Sequence, residues 1–289
     1  MYNLRPERIY AFESALTHGP SLERIDRMVR ALGLKASDVL MVTPRDIPQM
    51  VRERGWAEVR LRQGEHEAHT EPDLVFTRWL PDGAPDPAPI LERCPEGTGA
   101  ALVRQMLGHG GPQKADQPLE AGRICRARWQ FDTIWGCPHG CAYCSGGKVA
   151  RIFANVEEYI EHAVAPTAGQ APWQKVFMFN SCLTDILAFE PEYELVQRLA
   201  SFFAFTKDQW HLVHTKSANV DFLAEQWVDR TILLWSMTSA TVSRKIEPRS
   251  ATTEERIEAA RRCHEAGYPV RVKFKPIVPV RGWRDEARE

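Results

Sequence analysis

Cys137, Cys141 and Cys144 lie within eight residues, in the run Cys-Pro-His-Gly-Cys-Ala-Tyr-Cys. The 289-residue chain has seven cysteines. An odd number, with three of them clustered, is not the evenly paired framework of a small secreted protein. The spacing instead aims three sulfurs at one centre, and Gly140 and Gly146-Gly147 free the backbone to wrap a bulky group. Three thiolates can hold three irons of a 4Fe–4S cube and leave the fourth iron without a protein ligand. An open metal position is a reaction site. Two blander readings use the same residues. One is a structural zinc with His139, Cys125 or a more distant fourth ligand, although such sites more often pair their ligands as two short knuckles. The other is a cluster that only carries electrons.

The elements that must position this loop show a clear rhythm from residue 123 onward. Trp129, Phe131, Thr133 and Trp135 alternate with less apolar neighbours, a strand leading into the cysteines. Asn155 with Glu158 resembles a capping box for a helix to residue 164. Strands are then expected at 176–180, 210–215, 231–237 and 270–274, with helices at 191–204 and 220–227 and one opened by Thr252 and Glu255 and closed by Gly267. Strands alternating with helices predict a parallel sheet with helices outside it, and chemistry at the carboxyl ends of the strands. About four and a half strand–helix units precede the end of the chain.

Before this region, residues 1–62 read as a small α/β N-terminal domain. Strands are expected at 9–12, 39–42 and 58–62, a helix capped by Ser21 runs to Gly33, and another spans 46–54. Residues 63–122 read as a Pro/Gly-rich linker with some structure, including a short helix at 100–107. Bulk properties exclude little. Formal net charge is −1, so the total charge calls for neither nucleic acid nor an anionic membrane. No apolar run reaches 18 residues and the N-terminus lacks a signal-peptide core, so no membrane partner and a cytoplasmic setting are expected.

The cysteine spacing, with aromatic Tyr143 before the third cysteine, resembles the radical S-adenosylmethionine superfamily. The resemblance implies a partial (β/α) barrel of radical SAM type and a 4Fe–4S cluster on Cys137, Cys141 and Cys144. The open iron would chelate S-adenosylmethionine. Its reductive cleavage would release a 5′-deoxyadenosyl radical that removes hydrogen from a substrate. A flavodoxin- or ferredoxin-type electron donor is implied as well.

Over roughly 124–283 the chain is similar to the spore photoproduct lyase family. Asn180-Ser-Cys-Leu-Thr-Asp185, His214-Thr-Lys216, Trp235-Ser-Met-Thr238 and Arg244-Lys-Ile-Glu-Pro-Arg249 carry the likeness, with Ala266-Gly-Tyr-Pro269, Pro276-Ile277 and Gly282-Trp283. It implies Cys182 as the hydrogen-atom donor and Tyr143, Thr184, Lys216, Ser236 and Thr238 bordering S-adenosylmethionine. A carbon–carbon lyase repairing a DNA photoproduct is the implied activity, with DNA as a partner. Taken alone, Cys182 reads as a small buried hydrophobe, Lys216 as a solvated loop lysine and Asp185 as a turn cap. Cys94, Cys125 and Cys263 read as structural. Two positions depart from the family: Ser145 stands where it has a tyrosine, and Thr238 where it has an asparagine. These departures leave open a different substrate for the same radical, or a non-catalytic metal- or nucleic-acid-binding protein. Between Arg244 and Arg284 eleven Lys/Arg face five Glu, a patch that could meet phosphates. The chain ends six residues after Trp283, where the family continues, so a fragment or a barrel closed by another part is expected.

Overall fold

The computed structural model describes residues 4–58, 71–114, 129–144, 148–180, 184–224, 230–286 and 288. Its strands are β1 (Ile9–Phe12), β2 (Val39–Val42), β3 (Asp73–Thr77), β4 (Gln113–Lys114), β5 (Trp129–Phe131), β6 (Ile134–Trp135), β7 (Val149–Phe153), β8 (Val176–Phe179), β9 (Trp210–Thr215), β10 (Thr231–Met237) and β11 (Val270–Phe274). They form two sheets, ordered β2-β1-β3-β7-β6 and β11-β10-β9-β8-β5-β4. All pairings are parallel except β6 with β7 and β4 with β5. The second sheet, with its helices, is an open α/β half-barrel, as the rhythm of the sequence predicts.

In the first sheet β1, β3 and β7 are buried at every position, as apolar runs covered on both faces must be. Ile25, Met28 and Val29 of helix Gly19–Ala31 share a core with Ile9, Ala11, Leu74 and Phe76. Ile47, Met50 and Val51 of helix Ile47–Arg54 cover Tyr10, Phe12 and Val75. The first core continues into the second sheet through Phe131, Phe177, Phe179, Val213, Leu233 and Trp235. The opposite face of that sheet carries Met178, His214 and Leu234, all half-buried, and opens toward the cysteine loop.

Several local expectations change. The run 129–135 is two strands in different sheets, because Asn180 Oδ1 accepts the N–H groups of Thr133 (2.8 Å) and Ile134 (2.9 Å). A continuous strand would send those groups to a neighbour. The stretch 63–122 supplies β3, the middle strand of the first sheet, and β7 from the third segment pairs with it, so the divisions at 62 and 122 do not follow the sheets. The strand expected at 58–62 lies outside the described residues beyond Glu58, which ends a 3₁₀ turn. The helix expected from Ser21 starts at Gly19, two residues earlier, and the Ser21 hydroxyl meets His18 Nδ1 at 2.7 Å instead of capping. Asn155 does not cap its helix either; its amide bonds both backbone groups of Trp79 (2.9 and 2.8 Å), and the helix continues through a π turn to Gln170. The capping box of Thr252 and Glu255 forms as expected.

Candidate active site

The carboxyl ends of the second sheet's strands meet the cysteine loop around a cavity of about 210 Å³. Cys137, Cys141, Cys144 and Tyr143 form one wall. Thr184 and Asp185 after β8, His214–Lys216 at the end of β9, and Ser236 near the end of β10 form the other. Lys275 and Pro276, just beyond β11, complete it.

The loop begins at Gly136, whose φ of +105° belongs to the left-handed region. A Cβ there would lie 2.0 Å from the carbonyl oxygen of Val149, so β6 can turn into the loop only at a glycine. Backbone bonds then stitch the loop to the segment after β10: Ala142 N–H donates to Ile246 O (2.9 Å) and Arg249 N–H to His139 O (3.3 Å). Burial pushes the Cys141 thiol up to about 11 and the Cys137 thiol well above its ordinary range. Thiols so placed ionise only beside a strong positive charge, which is what a metal cluster supplies. Among the described residues no three His, Cys, Asp or Glu side chains close on one point as ligands of a single ion. The three thiols instead line a wall. Among the described residues Thr184 Oγ1, buried at the cavity, has no hydrogen-bond partner, as a polar atom that meets a ligand would. The residues present therefore fit an iron–sulfur cluster with a polar cofactor beside it.

Two buried carboxylates organise the walls. Asp185 accepts from His139 Nε2 (2.9 Å), Thr215 Oγ1 (2.9 Å), the backbone N–H of Lys216 (2.6 Å) and that of Leu187 (3.1 Å). Burial would raise its pKa, but these bonds, His139 foremost, hold it below the usual carboxylate value. His139 Nδ1 meets Arg249 O at 3.0 Å, so both ring nitrogens face oxygen acceptors and neither is available as the fourth ligand of a zinc. Glu247 accepts from the Tyr143 hydroxyl, Lys216 Nζ and Arg256, and from Thr238 Oγ1 at 3.2 Å. Burial opposes its charge, yet Lys216 and Arg256 pull its pKa down to about 2. The same buried setting, with the charges of Cys141 and Glu247, keeps the Tyr143 phenol protonated.

Four of the five residues expected beside S-adenosylmethionine line this cavity: Tyr143, Thr184, Lys216 and Ser236. Thr238 does not; it props Glu247 from behind and lines a neighbouring apolar cavity. Lys216 is ion-paired with Glu247, a carboxylate it shares with Arg256. Cys182, the expected hydrogen-atom donor, lies outside the described residues, as do Ser145 and Cys125. His214 joins the cavity with Nε2 2.6 Å from Ser236 Oγ, and burial, then the charge of Lys273, lowers its pKa to about 4, leaving a neutral imidazole. Glu247 and His214 both sat inside recognisable motifs; nothing in the pattern marked Lys275.

A family model described as spore photoproduct lyase matches residues 127–289. The chain belongs to the spore photoproduct lyase family. Among its relatives is the spore photoproduct lyase of Bacillus subtilis (strain 168), 29% identical over 169 residues, which are 56% of this chain and 49% of that protein. That of Clostridium acetobutylicum is 24% identical over 170 residues, 56% and 50% of the two chains. The chain thus spans about half the length of the curated relatives it matches. A spore photoproduct lyase mutant solved with bound AdoMet and dinucleoside spore photoproduct superposes with a TM-score of 0.65 at 18% identity, covering 99% of this chain and 72% of that one. Another solved complex with the dinucleoside gives 0.63 at 17% identity, with the same coverage. At such identity the likeness establishes the fold, and it reaches back through the first sheet. Among the described residues no helix is long and apolar enough to cross a membrane.

Proposed function

We propose that this family member is a radical S-adenosylmethionine enzyme acting on a DNA photolesion, with a 4Fe–4S cluster on Cys137, Cys141 and Cys144. The observation that carries the reading is the meeting of those three thiols with the polar ends of parallel strands around one cavity. When bound, the cluster and S-adenosylmethionine supply a 5′-deoxyadenosyl radical. The chain's own work is positional. Tyr143, held by Glu247, fixes the loop between the second and third cysteines; Thr184 and Ser236 offer hydroxyls to a polar ligand. Cys182 is the proposed donor of a hydrogen atom to the product radical, and a flavodoxin- or ferredoxin-type protein the proposed reductant.

The test is anaerobic reconstitution followed by dithionite and S-adenosylmethionine. We expect 5′-deoxyadenosine, and none from a folded, cluster-loaded protein would overturn the proposal. Ser145, in place of the family's tyrosine, favours a second reading in which the same radical serves a different substrate. Incubation with dinucleoside spore photoproduct separates the two: lesion consumption supports repair, and 5′-deoxyadenosine without lesion loss supports the second reading.

A further inference from the structure

The inner face of the second sheet sets two polar side chains against each other in the cavity wall. In the parallel register His214 of β9 lies beside Leu234 of β10, and Ser236 is the next residue on that face. His214 Nε2 meets Ser236 Oγ at 2.6 Å, the one hydrogen bond of that hydroxyl among the described residues. Both residues line the cavity. β9 carries a second such pair on its other face. There His211 Nε2 lies 2.6 Å from Thr231 Oγ1, with the imidazole stacked on Phe203 in the core. One histidine–hydroxyl pair thus joins strands inside the core, and the other faces a ligand site.

The direction of the bond decides what Ser236 offers. The neutral imidazole of His214 has one N–H and one lone pair, and a hydroxyl has one hydrogen and two lone pairs. With the imidazole proton on Nε2, the serine hydrogen would point into a cavity that Lys216 and Lys275 also line. A hydroxyl dipole in the field of ammonium groups turns its oxygen toward them and its hydrogen away. That orientation sends the Ser236 hydrogen to Nε2 and puts the imidazole proton on Nδ1. It also supplies what the cavity lacks. Asp185, the one carboxylate among the described lining residues, already accepts from His139, Thr215, Leu187 and Lys216, which fills its lone pairs. The phenol oxygen of Tyr143 accepts from Lys216. Thr184 Oγ1, with no partner among the described residues, can turn either way. The Ser236 oxygen is fixed as an acceptor.

We infer, resting on the cofactor proposed above, that His214 is a positioning residue: it takes the hydrogen of Ser236 and so holds the serine oxygen toward an N–H or O–H donor of S-adenosylmethionine. Two measurements on the full 289-residue chain test this. The first is two-bond proton–nitrogen NMR of the histidine-labelled chain, in which the signals missing from H214L belong to His214. The proton is expected on Nδ1, and a proton on Nε2 overturns the inference. The second is equilibrium dialysis of the cluster-loaded protein against labelled S-adenosylmethionine, without reductant so that nothing is cleaved. H214L should raise Kd about tenfold, and H214Q, whose amide can reach the Nε2 position, should restore it to within about twofold. Because His214 acts through the serine, H214L/S236A should bind no more weakly than S236A. Losses that add would mean separate roles and would overturn the inference. H211L breaks the pair on the core face and should lower the melting temperature while leaving Kd as it is. An equal rise in Kd there would make the effect at His214 a general loss of fold, and would overturn the inference too. A wild type that retains no label defeats the cofactor reading and this inference with it, whereas a wild type and an H214L variant that bind equally well defeat the inference alone.

Discussion

Glu247 is fully buried, and its carboxylate meets two cations, a phenol and a hydroxyl drawn from four parts of the chain. Replacing it with Gln leaves Lys216 and Arg256 short of a counter-charge. Its pKa is depressed from 4.5 to about 2, so its stabilising effect is complete above pH 4.5 and lost as pH falls toward 2. Urea unfolding of E247Q at neutral pH should therefore show a loss on the order of 3 kcal/mol that shrinks across that window; a deficit that stays constant down to pH 2 would exclude the ion-pair account. At the cysteines, Cys141→Ala should sharply lower iron and sulfide per chain after anaerobic reconstitution, while Cys263→Ala, on the buried face of the helix Thr253–Glu265, should not; equal metal content in both variants would remove the loop's role. The cysteines were legible because their spacing alone states a coordination problem. Asp185 was legible as a turn cap and Glu247 as part of a motif, but their role of joining the walls was not, because their partners arrive from distant segments: Tyr143 and Glu247 are 104 residues apart. Only the folded sheet brings them together.

Among elements, the strands 210–215, 231–237 and 270–274 were readable to the residue as apolar or β-branched runs between turn signals. β3 escaped notice because it opens on Asp73, a residue that reads as loop. In the fold Arg54 (2.7 Å) and Trp56 Nε1 (3.1 Å) satisfy that carboxylate, and it is buried. The break between β5 and β6 was hidden for a related reason, since a side chain 46 residues away ends the strand. Asn180 does this from a left-handed conformation, φ +49°. Asn180→Ala should cost about 3 kcal/mol from lost acceptors and backbone strain, and Asn180→Gly about 1 kcal/mol less because glycine accepts that φ. Thermal denaturation ranks the two, and equal melting temperatures would mean that the strain contributes nothing. The cap at Thr252 makes a smaller claim: Thr252→Ala should destabilise by about 1 kcal/mol in the same assay.

For the whole molecule, the two sheets share one core, and Arg24 welds them at its edge. This buried guanidinium donates to Ala154 O (2.6 Å), Tyr193 O (2.8 Å) and Glu157 (2.7 Å). Arg24→Met should cost about 3 kcal/mol and shift near-ultraviolet and far-ultraviolet melting curves together; curves that separate would mean that the sheets unfold independently. The cysteine loop is the connection of the β6–β7 hairpin, and β7 is gripped on its other side by β3. It follows that the half carrying the cysteine loop has no self-sufficient version. A truncated chain beginning near residue 123 would strip β7 of its neighbour, bare a hydrophobic ribbon to aggregation and let the far anchor of the cysteines drift, so the first 77 residues serve as the mooring of the cysteine loop rather than as an attachment to it.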